Sequence, residues 1–358
     1  MAKAVVRSSL LIPLILLLAA LLVSPVRADG PFWERDGLDG LEARDLLATP
    51  DGELVALVGG ARDPTPLWLR TVPGWRRQMT GAPAFVLALA TLPEGGLLLG
   101  TGRDISDQPG VFWFGGDPPT TKRLYDAQAV GSLAVAPGPA GVSSDVYAAA
   151  SPWADRDAGP LLIRRDAATG SWTTVHHGSL ACAEPSYFRQ VVAATGGSTV
   201  LALEWCLAAS SRQTQLWRSD DRGQTWRMLP PPVDASGMVG WIALDPTDAD
   251  VLYLTWAAGP GAPAGLERSV DGGQSWTPIG TTVGGLAWVR SLAVDPRDPR
   301  RIIAAGDQTG VFMSTDRGES WAPLPGLEGS RVWSLVVDPL SARLFAATSD
   351  GVWRLPLP

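Results

Sequence analysis

The chain has 358 residues, 46% of them hydrophobic, with 40 Gly and 31 Pro, a composition that can bury a large core and suits a turn-rich all-β array better than long helices. That apolar content excludes a disordered chain. Only Lys3 and Lys122 are lysines and the formal net charge is -7, which disfavours a nucleic-acid surface.

Residues 1–28 read as a secretory signal peptide. Lys3 and Arg7 precede an apolar run from Leu10 to Val23, and Val26-Arg27-Ala28 offers small residues for cleavage. The run is short for a bilayer span, so the mature chain is expected to start near Asp29, secreted or extracytoplasmic, with no stable membrane span.

From there the chain is a repeat. Leu292-Ala-Val-Asp-Pro296 has counterparts ending at Pro339 and Pro246, and weaker echoes ending at Pro137, Pro93, Pro50 and Thr195. Their spacings of 43 to 58 residues mark seven stacked units. One unit reads as four short strands, Val289 to Val294 (A), Arg301 to Ala305 (B), Gly310 to Ser314 (C) and Trp321 to Leu324 (D), parted by Asp, Pro and Gly clusters. Four antiparallel strands repeated seven times predict an all-β, seven-bladed β-propeller.

The last unit supplies only Trp333 to Val337, Leu344 to Thr348 and Gly351 to Leu355. The segment from Trp33 to Arg44 resembles that from Trp321 to Arg331. Phe32 to Arg35 is therefore expected to complete the last blade and pair two otherwise open edges. Residues 29–358 then form one domain without a linker.

A second phrase, S-x-D-x-G-x-[ST]-W, occurs three times: Ser219, Asp221, Gly223, Trp226; Ser269, Asp271, Gly273, Trp276; and Ser314, Asp316, Gly318, Trp321. Its Asp can accept turn amides, its Gly allows positive φ, and its Trp opens the next strand with a large apolar surface. Thr169 to Trp172 is a remnant. The pattern resembles the Asp-box (BNR) repeat of sialidases, sortilin-type receptors, xyloglucanases and photosystem II assembly factors, all β-propellers. The resemblance implies a box at the turn between the third and fourth strands, away from the ligand face, so its Asp residues are read as structural.

Because strands alternate in direction, a ligand would meet the face carrying the B–C and D–A connections. Two residues before each strand A phrase stand Arg44, Leu87, Gly131, Arg189, Gly240, Arg290 and Trp333. Arg44, Arg189 and Arg290 at one level of a channel mouth form a candidate grip for a carboxylate or other anion; the alternative is that each pairs with a neighbouring acid such as Asp45, Glu204 or Asp307. Trp241, Trp288 and Trp333 cluster near the same mouth, as ligand platforms or as packing between blades. Cys182 and Cys206 suit a disulfide in an exported protein, closing about 24 residues for roughly 3 kcal/mol. His176 and His177 are adjacent on a strand and point to opposite faces, which argues against a shared metal. No cofactor is expected.

A sialidase-like enzyme would need an arginine triad with a Tyr nucleophile and a Glu, for which Tyr187 with Glu184 or Glu204 are the candidates. That resemblance implies six blades and an F/Y-R-I-P signature, which Phe32-Trp33-Glu34-Arg35 does not reproduce. A xyloglucanase-type pair of carboxylates implies a cleft between two propellers, and one propeller is read here. In layout, residues 32 to 358 resemble the single seven-bladed propellers of photosystem II assembly factors, which use a basic patch on one face. The expectation is a monomeric, exported, non-catalytic recognition or assembly module binding a peptide, protein or glycan at the channel mouth. The alternative is a glycoside hydrolase, sialidase-like or another exo-glycosidase.

Overall fold

The computed structural model describes residues 32–358 except 60–66, 72–73, 79–84, 103–108, 127, 138–143, 152–158, 179–185, 208–211, 231–237, 258–263 and 281–288. The leader expected at 1–28 lies outside the described residues.

The second strand of each unit explains why the sequence layers as it does. Leu54–Val58, Asp145–Ser151 and Ile302–Gly306 are buried at every position, as unbroken apolar runs demand when both faces of a sheet are covered. The fourth strands, such as Trp75–Arg77 and Thr120–Asp126, are short or polar and buried at none of these positions. Burial therefore peaks at the second strand of each unit and falls toward the rim. The described strands form seven four-stranded antiparallel sheets, six of them pairing their strands in sequence order A–B–C–D and the seventh taking its fourth strand from the N-terminal segment. Their innermost strands are Ala43–Ala48, Val86–Thr91, Ala129–Ala136, Ser186–Ala193, Met238–Leu244, Val289–Val294 and Val332–Asp338, counted as blades 1 to 7.

The core is divided between the blades. Seven apolar clusters each join two neighbours: Tyr147 and Leu162 of blade 3 meet Phe188 and Val200 of blade 4, and Phe345 and Val352 of blade 7 meet Ala43 and Leu54 of blade 1. Each sheet thus buries both faces, and no blade has a complete core alone.

The last blade is built from both ends of the chain. Glu34–Gly37 pairs antiparallel with Gly351–Pro356, Glu34 opposite Arg354 and Arg35 opposite Trp353. The closing strand begins two residues later than the expected Phe32, because Trp33 turns into the interface with blade 6: it is 8% exposed and its indole donates to the Leu324 carbonyl at 3.3 Å. Asp36 fastens the other side. Its carboxylate accepts Arg70 Nε at 2.7 Å and Nη2 at 2.8 Å from blade 1, Trp75 Nε1 at 3.2 Å and Arg354 Nη1 at 3.2 Å.

The three repeated phrases adopt one turn, between strands C and D. In the first, Gly223 N–H donates to Ser219 Oγ at 2.7 Å, Ser219 Oγ to Asp221 Oδ1 at 2.8 Å, and Thr225 N–H and Oγ1 to the two Asp221 oxygens at 2.8 and 2.6 Å. The bonds recur around Asp271 and Asp316. The amides of Arg222, Gly272 and Arg317 each reach a carbonyl of their own blade's A–B turn, Ser198, Asp250 and Arg300, at 2.9 Å. The phrases and the A–B turns therefore share one face of the disc. Gly318, at φ +92°, lies so close to the preceding blade that a Cβ would stand 2.6 Å from Ile279 Cδ1. Only glycine satisfies both that φ and that approach.

Candidate functional site: the mouth of the channel

All seven innermost strands carry a β-bulge at the same place. The pairing with strand B steps over Arg44, Leu87, Gly131, Arg189, Gly240, Arg290 and Trp333. A bulged residue leaves the ladder and its side chain is re-aimed. These seven residues, the ring expected from the repeat register, all line one cavity of about 560 Å³.

The residues that follow the bulges tie the blades together. Innermost strands expose unpaired amides toward the channel, and in four blades a neighbour's side chain accepts them. Ser132 Oγ holds Val191 N–H at 3.1 Å, Gln190 Oε1 holds Ile242 N–H at 2.9 Å, Ser291 Oγ holds Leu335 N–H at 3.0 Å, and Ser334 Oγ holds Leu46 N–H at 3.4 Å. Gln190 also donates its amide to the Ile242 carbonyl at 3.0 Å. Asp45 extends the chain of bonds, its Oδ1 accepting Ser334 Oγ and Leu46 N–H, both at 2.9 Å.

The three arginines meet three environments. Arg44 is exposed, with Nε 3.8 Å from Glu42 Oε1. Arg290 donates to Asp307 at 2.8 Å and its guanidinium lies 4.8 Å over the Trp333 ring; Arg331 donates to the same Asp307 at 2.9 Å and lies 5.2 Å over the same ring. The hydrogen bond from Arg290, then that from Arg331, holds the Asp307 carboxyl below its usual range against the opposing effect of burial. Arg189 is flanked by indoles, 5.7 Å from the Trp205 centroid and 5.6 Å from that of Trp241. Among the described residues no carboxylate comes within ion-pair distance of it. Burial pulls its pKa below the ordinary value, opposed by attraction to Tyr187 and Asp45. Burial pushes the Asp45 carboxyl up, against the Ser334 and Leu46 donors and the pull of Arg189.

Trp241 and Trp333 both reach the cavity; Trp241 is also packed against the cluster between blades 5 and 6. Trp288 lies outside the described residues. Trp205, one strand behind Tyr187, is a lining residue that the repeat register did not single out, since only strand A was read for the ring; its place directly opposite Tyr187 in the ladder was the available signal.

Tyr187 and Glu204 are not brought together. Tyr187 packs edge-on against Trp205 at 5.7 Å, whereas Glu204, fully buried, faces the other way and accepts Ser186 Oγ at 2.7 Å and Trp217 Nε1 at 3.0 Å. The alternation of the strand sets them on opposite faces. Cys206 is disulfide-bonded and 3% exposed; Cys182 and Glu184 lie outside the described residues. Asp221, Asp271 and Asp316 sit on the far face, each held down to about 2 by the hydroxyl of Thr225, Ser275 or Ser320 first, and then by the same residue's amide and the Ser two positions before.

His176 belongs to the packing between blades 3 and 4. It lies against Trp217, Trp226 and Phe188 at 4.5, 5.1 and 5.8 Å between centroids, and burial lowers its pKa to about 4. Among the described residues no group of three or more His, Cys, Asp or Glu could hold a metal ion, and no helix is long and apolar enough to cross a membrane.

No protein-family model matches the chain, and no curated protein matches it. Solved structures do. YCF48 from Cyanidioschyzon merolae aligns over 91% of this chain and 99% of its own, at 13% identity and a TM-score of 0.60. The GH74 xyloglucanase from Xanthomonas campestris aligns over 89% of this chain at 18% identity and a TM-score of 0.46, and a GH74 enzyme from Niastella koreensis over 77% at 16% and 0.44. The chain covers 59% and 53% of those two enzymes' lengths. At such identities the likeness to YCF48 shows a shared propeller fold.

Proposed function

We propose that this protein is an exported, non-catalytic recognition module, a monomeric propeller that binds an anionic ligand, part of a peptide, protein or glycan, at its channel mouth. The observation that carries the reading is the lining itself: three arginines and, among the described residues, one carboxylate, Asp45. Hydrolysis of a glycosidic bond by two carboxylates needs a second acid at a defined separation, and Asp45 already spends one oxygen on Ser334 and Leu46. Arg44, Arg189 and Arg290 contribute charge, and Trp241, Trp333 and Trp288 contribute contact area. A cleaved leader over residues 1–28 and a Cys182–Cys206 disulfide complete the reading.

Two experiments test it. Purified protein should turn over neither aryl-glycosides nor sialosides; turnover abolished by Tyr187→Phe or Glu204→Gln overturns it in favour of a glycosidase. A variant with Arg44, Arg189 and Arg290 all changed to Gln should lose the ligand that wild type captures from the envelope fraction. Unchanged capture removes the mouth as the site.

A further inference from the structure

The chemistry of the ligand can be narrowed, on the premise that the channel mouth is the recognition site. Among the described residues, the uncharged hydroxyl and amide side chains of the innermost strands next to the bulges are already engaged: Ser132, Gln190, Ser291 and Ser334 hold main-chain amides of adjacent blades. Among the described residues, the lining then offers chiefly arginine forks, indoles and aliphatic surface. Of the three arginines, Arg290 is hydrogen-bonded to Asp307, which it shares with Arg331, and Arg44 stands near Glu42, whereas Arg189 is steered by two indoles and has no carboxylate within ion-pair distance among the described residues. A guanidinium in a partly desolvated setting, with Asp45 near enough to attract it but not at ion-pair distance, favours a bidentate anion.

The wall beside Arg189 is of the opposite character. Blades 2 and 3 contribute Phe85, Leu87, Leu89, Gly131 and Leu133 to the cavity, without a charged group among them. Leu87 is 37% exposed there, unusual for a leucine in a strand whose ladder neighbours Val86 and Ala88 are 8% and 5% exposed. At Gly131 a Cβ would meet nothing within 4 Å, so the missing side chain leaves open room, not a close contact. The cavity also includes Asp45, which Arg189 attracts; its charge repels a second anionic group and disfavours polyanions.

We infer that Arg189 and the Leu87–Gly131 arc form a subsite for a single carboxylate carrying an apolar group, either a free aryl or alkyl acid or the apolar C-terminal residue of a peptide. The carboxylate lies on the Arg189 fork between Trp205 and Trp241, and the apolar group lies over Leu87 in the space beside Gly131.

Calorimetric titration of the full-length mature protein tests this with five probes. 3-Phenylpropionate should bind saturably, and its neutral amide and acetate should each bind at least about tenfold more weakly, the first lacking the charge and the second the apolar group. Arg189→Gln should abolish the preference for the acid over its amide, and Arg189→Lys, which keeps the charge, should restore part of it. Leu87→Asn should weaken 3-phenylpropionate without changing acetate, and Arg300→Gln, an exposed A–B-turn residue on the opposite face, should leave the preference intact. Gly-Gly-Phe with a free and with an amidated C-terminus forms the second arm: tighter binding of the free peptide than of 3-phenylpropionate makes a chain terminus the source, and the reverse makes it a small acid.

Equal affinity for acid and amide, no saturable binding of either, or a preference that survives Arg189→Gln overturns the inference. A glycan or polyanion that binds the mouth and is lost in the triple arginine variant, with 3-phenylpropionate inert, overturns it too, yet leaves the recognition reading standing. Glycoside turnover would sink that broader reading instead.

Discussion

Closure of the ring by the N-terminal strand makes a quantitative prediction at Asp36. Its side chain is 1% exposed, and it bridges Arg70 of blade 1 and Arg354 of blade 7 while accepting Trp75 Nε1. Removing one partner of a buried ion pair costs about 3–5 kcal/mol when the remaining charge stays buried. Arg70 and Arg354 are 31% and 29% exposed, so water takes over part of their solvation and the loss from Asp36→Ala should be about 2–3 kcal/mol. Asp39→Ala is the control. That carboxylate is 66% exposed and pairs with a 44% exposed Arg35, a surface arrangement whose removal should cost about 0–1 kcal/mol. Urea unfolding followed by tryptophan fluorescence gives both midpoints. Asp36→Ala should unfold at clearly lower urea, and proteolysis should attack the segment before Asp39 first. The Asp36→Ala, Arg70→Ala double variant should lose less than the sum of the single losses. Equal midpoints for Asp36→Ala and Asp39→Ala would refute the idea that this seam holds the disc closed.

Three further outcomes follow from the same geometry. Gly318→Ala should cost about 2–4 kcal/mol, combining positive φ with overpacking against Ile279, whereas Gly329→Ala, at φ +79° with nothing within 4 Å, should cost about 1–2 kcal/mol from φ alone; thermal melts rank the two. The carboxyls of Asp221, Asp271 and Asp316 are depressed to about 2, so their stabilisation is present above the ordinary carboxylate pKa of about 4 and is lost as pH falls from there toward 2. The triple Asp→Asn variant should therefore show a flatter melting temperature over that window, and an unchanged slope would contradict the assignment. Gln190→Ala deletes two bonds to Ile242 across blades 4 and 5 and should cost about 1–3 kcal/mol, read as a lower urea midpoint with antiparallel pairing retained by circular dichroism.

The sequence by itself determined the blade number, the strand order and the ring of residues at the channel mouth. Apolar runs with a fixed phrase at each strand A and turn chemistry between strands are local signals, and repetition turns a local register into a global one. Trp33 and the incomplete last unit even showed where the ends would meet, with the strand starting two residues late because Trp33 serves the interface with blade 6 in place of the ladder. Tertiary structure alone decided what each ring residue does. Arg44, Arg189 and Arg290 are equivalent in sequence position, yet Asp307 reaches Arg290 from the end of strand B and Arg331 from the following D–A connection, while Trp205 and Trp241 converge on Arg189 from two blades. Glu204 stood near Tyr187 in the pattern, but strand alternation turned it toward Ser186 and Trp217. Charge matching depends on distances between residues remote in the chain, and a repeat places backbones in register without specifying which side chains meet across the gap between blades.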